Sequence, residues 1–386
     1  MISEILRYVQ DLIGTMDAFK SLNTSLVPVR EAAEKFVGCE KILVIGTGGS
    51  SLGGKCLVNF EALYSGKAPK VTFLENVDSR HFVNVINQCD RDRTGIIVIS
   101  KSGRTTETLM LFASLCEAWP EFDYPNRAIA ITELADTSTL MALAQSKGMT
   151  ALEHNPNIGG RFSVFSIVGL LPALLGGVDI DLFISGAKAV VAELMKASTP
   201  DECKLFTDIV DMYEVVRGGK VNIHVLMTYS DLFGDYHKWA TQLISESIGK
   251  SGSFGITPVG AVGTVDQHSM LQLFLGGPPD KIFTVITQKK NVDTSRVNCE
   301  LLGALHAHNI HDLMLAHQRA TIEALKEKAF VRVIEFDEFN VWALGYLMAL
   351  SFIEVITIAK LAGVNPFDQP AVEASKKLAI RYISEL

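Results

Sequence analysis

Short apolar runs recur along the chain, each closed by small or polar residues and followed by a helical period. The first four lie at 41–45, 71–74, 96–99 and 128–131. Their length and Ile/Val content predict buried strands. Between them apolar residues return at three- and four-residue spacing, as in Leu109, Leu111, Phe112 and Leu115, which predicts helices. Residues 162–217 read as mostly helical. The alternation restarts with strands at 221–227, 283–286 and 331–334. Residues 1–37 read as helical with a break over 23–28, and from Glu338 onward the pattern is helical, interrupted over 363–370. Alternating strands and helices predict an α/β protein with two open, doubly wound parallel sheets in tandem, framed by helical terminal segments. The expected division is 1–200, 201–362 and a C-terminal segment 363–386, with the boundary near Pro200.

Composition narrows the function classes. The chain has 386 residues, 48% of them hydrophobic and 20% charged, with a net charge of −8 and no basic block, so nucleic acid is not an expected partner. Six cysteines are scattered without C-x-x-C spacing, which points to a reducing compartment and away from a structural zinc site. MISEILRYVQDL reads as an amphipathic helix rather than a signal peptide. The longest uncharged run, 162–178, contains Ser163, Ser166 and Pro172 and falls short of the ~20 residues of a membrane span. The expectation is a buried helix there, no membrane partner and a cytoplasmic protein.

Candidate chemistry gathers where strands end. After the run at 96–99 come Ser100, Lys101, Ser102, Arg104, Thr105, Thr106 and Thr108, and a helix starts at once. Unpaired N–H groups and the positive dipole end favour an anion there, and the hydroxyls suit a phosphate held without a metal. The glycine loop IGTGGSSLGGK (45–55) admits three readings. A dinucleotide fingerprint lacks its third glycine, with Ser51 in that place. A nucleotidase phosphate loop has Cys56 where a Mg²⁺-ligating hydroxyl belongs. The third reading is a turn that lets Gly49, Ser50 and the backbone approach a small ligand.

Further along, NIGGRFS places two glycines before Arg161, a cation suited to a developing oxyanion. Gln242 and Glu246 are four apart near the end of a helix that Gly249 closes, so they share a face and Glu246 is a candidate base. His268, at another helix start, is a proton-exchange candidate. The run His306, His308 and His311 reads as a helix face rather than a metal ligand set. Gln369, Glu373 and Lys376, at i, i+4 and i+7 after the Asn365–Pro366 turn, are expected to project from one helical face.

In order, IGTGGSSLGG (45–54), SKSGRTTET (100–108), NIGGRFSVFSIVG (157–169), QLISESIGK (242–250), GTVDQHSMLQL (263–273) and NPFDQPAVEASK (365–376) resemble the glucose-6-phosphate isomerase family. The resemblance covers the chain from about residue 40 onward. It implies two sugar-isomerase (SIS) domains, a homodimer, and interconversion of glucose 6-phosphate and fructose 6-phosphate without metal or cofactor. It further implies that Ser100, Ser102, Thr105, Thr108 and the 100–108 backbone hold the phosphate, with Lys101 nearby. Gly49, Ser50 and Gln242 would contact substrate, and Gln369 would position it. Glu246 would move the proton between C1 and C2, and Arg161 would stabilise the enediolate. His268, from the neighbouring subunit, and Lys376 would assist ring opening. The loop departs from the family's common SKTFTTxET toward SIS proteins at large, and Ala371 replaces a usual glycine. Isomerases of mannose 6-phosphate or amino-sugar phosphates, and a non-catalytic sugar-phosphate sensor, are the alternatives.

Overall fold

The computed structural model describes residues 2–290 and 295–385. Met1 and Leu386, the outer ends of the first and last predicted segments, lie outside them. Every strand pairing is parallel. The first sheet holds β1 (Lys41–Ile45), β2 (Val71–Leu74), β3 (Thr94–Ile99), β4 (Ala128–Thr132) and β5 (Thr150–Glu153), in the order β2-β1-β3-β4-β5. The second holds β6 (Ile223–Thr228), β7 (Thr257–Val262), β8 (Lys281–Gln288) and β9 (Val331–Phe336), in the order β7-β6-β8-β9. β5 and β7 were not among the expected strands. Both are edge strands, which need little apolar content and tolerate residues such as Pro258 in β7.

The pleat sorts the Ile/Val runs into two cores. Ile42, Val44, Ile97, Ile99, Ile129 and Ile131 face a core that also takes in Leu226, Ile282 and Ile286 of the second sheet. Leu43, Ile45, Ile96 and Val98 face a separate core on the opposite side of the first sheet. The two sheets are thus joined by one continuous apolar interior. The 162–178 run begins at the last residue of the 3₁₀ turn Gly160–Phe162 and contains the buried Ile167–Leu175 helix.

The 22-residue helix Val341–Ala362 runs through the shared core. Its most apolar window has a mean hydropathy of 1.9, enough by length and composition to cross a membrane, yet 89% of that window is buried in the protein. The helix Ile180–Lys196 lies against it almost backbone to backbone. A Cβ on Gly186 would sit 2.0 Å from the Trp342 carbonyl oxygen, and one on Gly345 would sit 2.0 Å from that of Phe183. Glu354, midway along the long helix, is buried but accepts a hydrogen bond from Arg332 of β9, so its charge is paired.

Three buried histidines give the fold an acid limit. Burial lowers the pKa of His154, His224 and His237 to about 4 each, from an ordinary 6.5. For His224 the nearby Glu354 carboxylate partly opposes this. The neutral form is held in the folded state, so these groups are silent above their unfolded pKa. As pH falls from 6.5 toward 4 the unfolded chain takes up protons that the fold refuses, and stability is lost. At pH 5 the loss is about 2 kcal/mol per such histidine. Urea unfolding at pH 7 and pH 5 checks this: the midpoint falls clearly at pH 5, and an unchanged midpoint contradicts it.

Candidate active site

β1 and β3 are neighbours in parallel register, with Ile45 opposite Val98, so the turns that follow them emerge side by side. A Cβ on Gly46 would stand 3.0 Å from the Ile99 carbonyl oxygen. The turn after β3 is tied down internally. Ser100 Oγ and Thr105 Oγ1 are 2.9 Å apart, and Ser102 Oγ accepts from the Arg104 N–H at 3.3 Å. Gly103 has φ +63°, and a Cβ there would lie 1.8 Å from Ser138 Oγ, so only glycine fits. Lys101 Nζ donates to the Pro156 carbonyl at 2.6 Å, and burial lowers its pKa against the opposing pull of Glu133. The helix Thr106–Ala118 follows. Its N-cap, Thr105, makes no side-chain capping bond, which leaves the first-turn N–H groups facing the turn. Thr108 Oγ1 is buried without a hydrogen-bond partner among the described residues.

The glycine turn after β1 connects this edge to the rest of the site. A Cβ on Gly49 would lie 2.1 Å from the Gly160 carbonyl carbon, so the two turns touch through bare backbone. Ser163 Oγ fastens them, donating to the Gly160 carbonyl (2.7 Å) or to that of Gly49 (3.1 Å). Gly48, at φ +59°, leaves space for Gln242, whose Nε2 stands 3.0 Å from where its Cβ would be. Ser50 lies in the 3₁₀ turn Gly48–Ser50 that leads into the helix Leu52–Ser65.

Arg161 sits at the centre. Its residue is 3% exposed, and burial lowers its pKa while the Glu246 charge raises it. Nε donates to Ser247 Oγ at 3.0 Å. Nη1 lies 3.0 Å from both Glu246 Oε2 and Gln369 Oε1. Nη2 donates to the carbonyls of Asp368 (3.1 Å) and Pro366. The helix Gly234–Ile248 presents Glu246 one turn after Gln242, and Gln242 Nε2 donates to Glu246 Oε1 at 3.0 Å. Glu246 therefore has each carboxylate oxygen held by a different donor. Lys250 donates to Asp368, at 2.6 Å for the carboxylate, and holds that carboxyl below its ordinary range.

The structure thus brings Gly49, Arg161, Gln242, Glu246 and Gln369 together beside the turn bearing Ser100, Lys101, Ser102 and Thr105. Among the described residues, neither His268 nor Lys376 makes a side-chain hydrogen bond to any of them. His268 is exposed in the 3₁₀ turn Val265–His268. Lys376 Nζ donates to Glu373 at 2.7 Å. The expected common face of Gln369, Glu373 and Lys376 does not form. Pro370–Val372 is a 3₁₀ turn, the α-helix begins only at Glu373, and Gln369 is non-helical with φ −154° and ψ 65°. The 3.6-residue period does not extend back to Gln369. The histidine run is not one helix face either: the helix starts at Ile310 behind an Asn309 capping box, with His306 and His308 before it. Ser247 and Ser163 were missed in the sequence. Both are buried serines beside residues already singled out, and the signal was their polarity inside apolar helical or glycine-rich segments.

Two open parallel sheets, each with a built carboxyl edge, define the class of double-SIS phosphosugar-isomerase folds. Solved chains of this fold include a tagatose-6-phosphate ketose/aldose isomerase of Escherichia coli, at TM-score 0.57 and 15% identity over 96% of this chain and 95% of that one. A glucose-6-phosphate isomerase of Chlamydia trachomatis reaches TM-score 0.78 at 21% identity, over 95% of this chain and 74% of that one. A hypothetical protein of Thermus thermophilus reaches 0.88 at 27%, over 99% and 94%. In sequence, the phosphoglucose isomerase family model matches residues 16–386. Glucose-6-phosphate isomerase of Rubrobacter xylanophilus is 33% identical over 88% of this chain and 82% of its own, and that of Campylobacter jejuni 30% over 94% and 91%. The chain belongs to the phosphoglucose isomerase family, and is an enzyme of the aldose–ketose isomerase type.

The Gly49–Gly160 contact generates a stability prediction. Gly49→Ala forces two backbones apart, with an overpacking cost of roughly 1–3 kcal/mol. A lowered urea midpoint is the expected result, and a midpoint equal to that of the parent refutes the close approach.

Proposed function

We propose that the chain interconverts glucose 6-phosphate and fructose 6-phosphate by proton transfer between C1 and C2 through an enediolate. The observation that carries this is the Arg161–Glu246 pair, a base and a cation 3.0 Å apart beside a hydroxyl-lined turn at a helix N-terminus. A proton alpha to a carbonyl is weakly acidic, so its removal needs both. Glu246 takes and returns the proton. Arg161 faces the developing enediolate oxygen, a kind of contact worth roughly 3–4 kcal/mol of barrier. Ser100, Ser102, Thr105, Thr108 and the N–H groups of the first helical turn, 106–108, grip the phosphate, with Lys101 adding charge. Gly49, Ser50, Gln242 and Gln369 shape the space for the sugar. Similarity to relatives named glucose-6-phosphate isomerase supports the choice of substrate.

His268 and Lys376 assist ring opening in this reading. His268 reaches the site from a second copy of the chain, so the working form is a homodimer. Its exposure on a turn apart from Glu246 agrees with that role. The cytoplasm is the proposed location, consistent with six free cysteines.

Glu246→Gln is expected to lower kcat by about 10²–10⁴-fold while sugar-phosphate affinity persists. Activity within about tenfold of the parent would remove Glu246 from the mechanism. Subunit mixing tests the shared site. Glu246→Gln and His268→Ala proteins, each inactive, regain about a quarter of parental activity when dissociated and reassociated together, because one site per mixed dimer is intact. No recovery would show that His268 does not act across the interface.

A further inference from the structure

Arg161 and Glu246 belong to a ring of contacts that one further cation closes. A guanidinium has five N–H groups. All five of Arg161 are engaged: Nε with Ser247, Nη1 with Glu246 and Gln369, and Nη2 with the carbonyls of Pro366 and Asp368. Three of those acceptors belong to the turn 366–369, and Lys250 grips the same turn. Lys250 stands just beyond the Gly234–Ile248 helix that carries Glu246, and its side chain is 12% exposed. Its Nζ donates to the Asp368 carbonyl and to Asp368 Oδ1, the latter at 2.6 Å. The Asp368 carbonyl thus accepts from Lys250 and Arg161 together.

The turn keeps its shape by other means. Asn365 Nδ2 donates to Asp368 Oδ2 at 3.0 Å, Asn365 Oδ1 accepts from the Phe367 N–H at 3.0 Å, and Arg161 holds two of the carbonyls. What Lys250 adds is charge. Two carboxylates, those of Glu246 and Asp368, stand near one guanidinium, and Arg161 attracts each of them. A second carboxylate turned onto Arg161 competes with Glu246 for it, and beside a buried cation that competition is weakly screened. With Lys250 present the four charges pair off as Arg161–Glu246 at 3.0 Å and Lys250–Asp368 at 2.6 Å. The hydrogen bond from Lys250 is the main reason that the Asp368 carboxyl lies below its ordinary range, and Arg161 contributes less.

We propose that Lys250 is a positioning residue of the isomerase reaction: it holds the Asp368 carboxylate off Arg161, so that the guanidinium stays directed at Glu246 and at the enediolate oxygen beside it. Lys250 acts through Asp368 and not on the substrate. The assignment rests on the roles proposed above for Arg161 and Glu246.

Lys250→Met, alone and combined with Asp368→Asn, tests this in the full chain. Lys250→Met keeps the apolar stem and removes the charge. It is expected to lower kcat on glucose 6-phosphate about 10–100-fold, with KM changed by less than about threefold. Adding Asp368→Asn removes the stranded carboxylate and restores kcat to within about threefold of the parent. A structural clip predicts no such recovery, because the double variant has lost both ends of the bond. Circular dichroism establishes folding; should Lys250→Met not fold, Lys250→Gln, a donor without the charge, takes its place. A second readout needs no substrate: the NMR signal of the Arg161 Nε–H, assigned through its loss in Arg161→Lys. That signal shifts in Lys250→Met and returns in the double variant. A parent without glucose 6-phosphate turnover sinks the proposed function and leaves this signal to decide on Lys250. The positioning role is overturned by parental kcat in Lys250→Met, by a double variant no better than the single one, or by an Arg161 signal that Lys250→Met leaves in place.

Discussion

A guanidinium cut off from water must find every partner inside the protein, and Arg161 finds them in stretches far apart in sequence. Ser247 and Glu246 come from one helix, and Pro366, Asp368 and Gln369 from the C-terminal segment. The cost of burying the charge is met only if all of these arrive together. The side chain is therefore a geometric constraint first. Assembly of the candidate base, its neighbouring amide and the segment that closes over them is one event. The proposed chemistry follows from that constraint: the cation that organises the candidate base is the one assigned there to the developing negative charge.

The supports around Arg161 explain the glycines. Gly48 and Gly49 are not interchangeable turn residues. One leaves room for Gln242, the other lets the turn after β1 touch the turn that carries Arg161. The same economy recurs in the core, where Gly186 and Gly345 let the Ile180–Lys196 and Val341–Ala362 helices meet at backbone distance. Close approach in both places fixes the two sheets relative to each other. A site assembled from residues of several elements needs that rigidity, because an error of about 1 Å in placing a base is costly in rate.

Much of the architecture was legible in the chain because central parallel strands are continuous apolar runs. β1, β3, β4, β6 and β8 show that pattern; β2 and β9 were legible from short apolar runs although they too are edges, whereas the edges β5 and β7 have half-exposed or Pro-containing sequences. The 100–108 turn was visible as a hydroxyl cluster at a strand-to-helix junction. Arg161 and Glu246 were each visible only as candidates, since nothing in spacing says that residues 85 apart will pair. Gln369 and Lys376 diverge because a 3₁₀ turn at Pro370 resets the helical phase, and local periodicity cannot anticipate that. Ser163 and Ser247 act by holding other side chains, a role with no motif of its own.

The C-terminal stretch holds to the body chiefly through polar grips, Arg161 on Pro366, Asp368 and Gln369 and Lys250 on Asp368, with one tilted ring contact between Phe162 and Phe367. The helix Glu373–Ser384 beyond buries no residue. Attachment by a few hydrogen bonds rather than by a broad apolar face gives this stretch a lower opening free energy than the apolar interior. This stretch therefore opens locally while the sheets stay folded, so nicking by a protease would begin here well before the molecule as a whole comes apart.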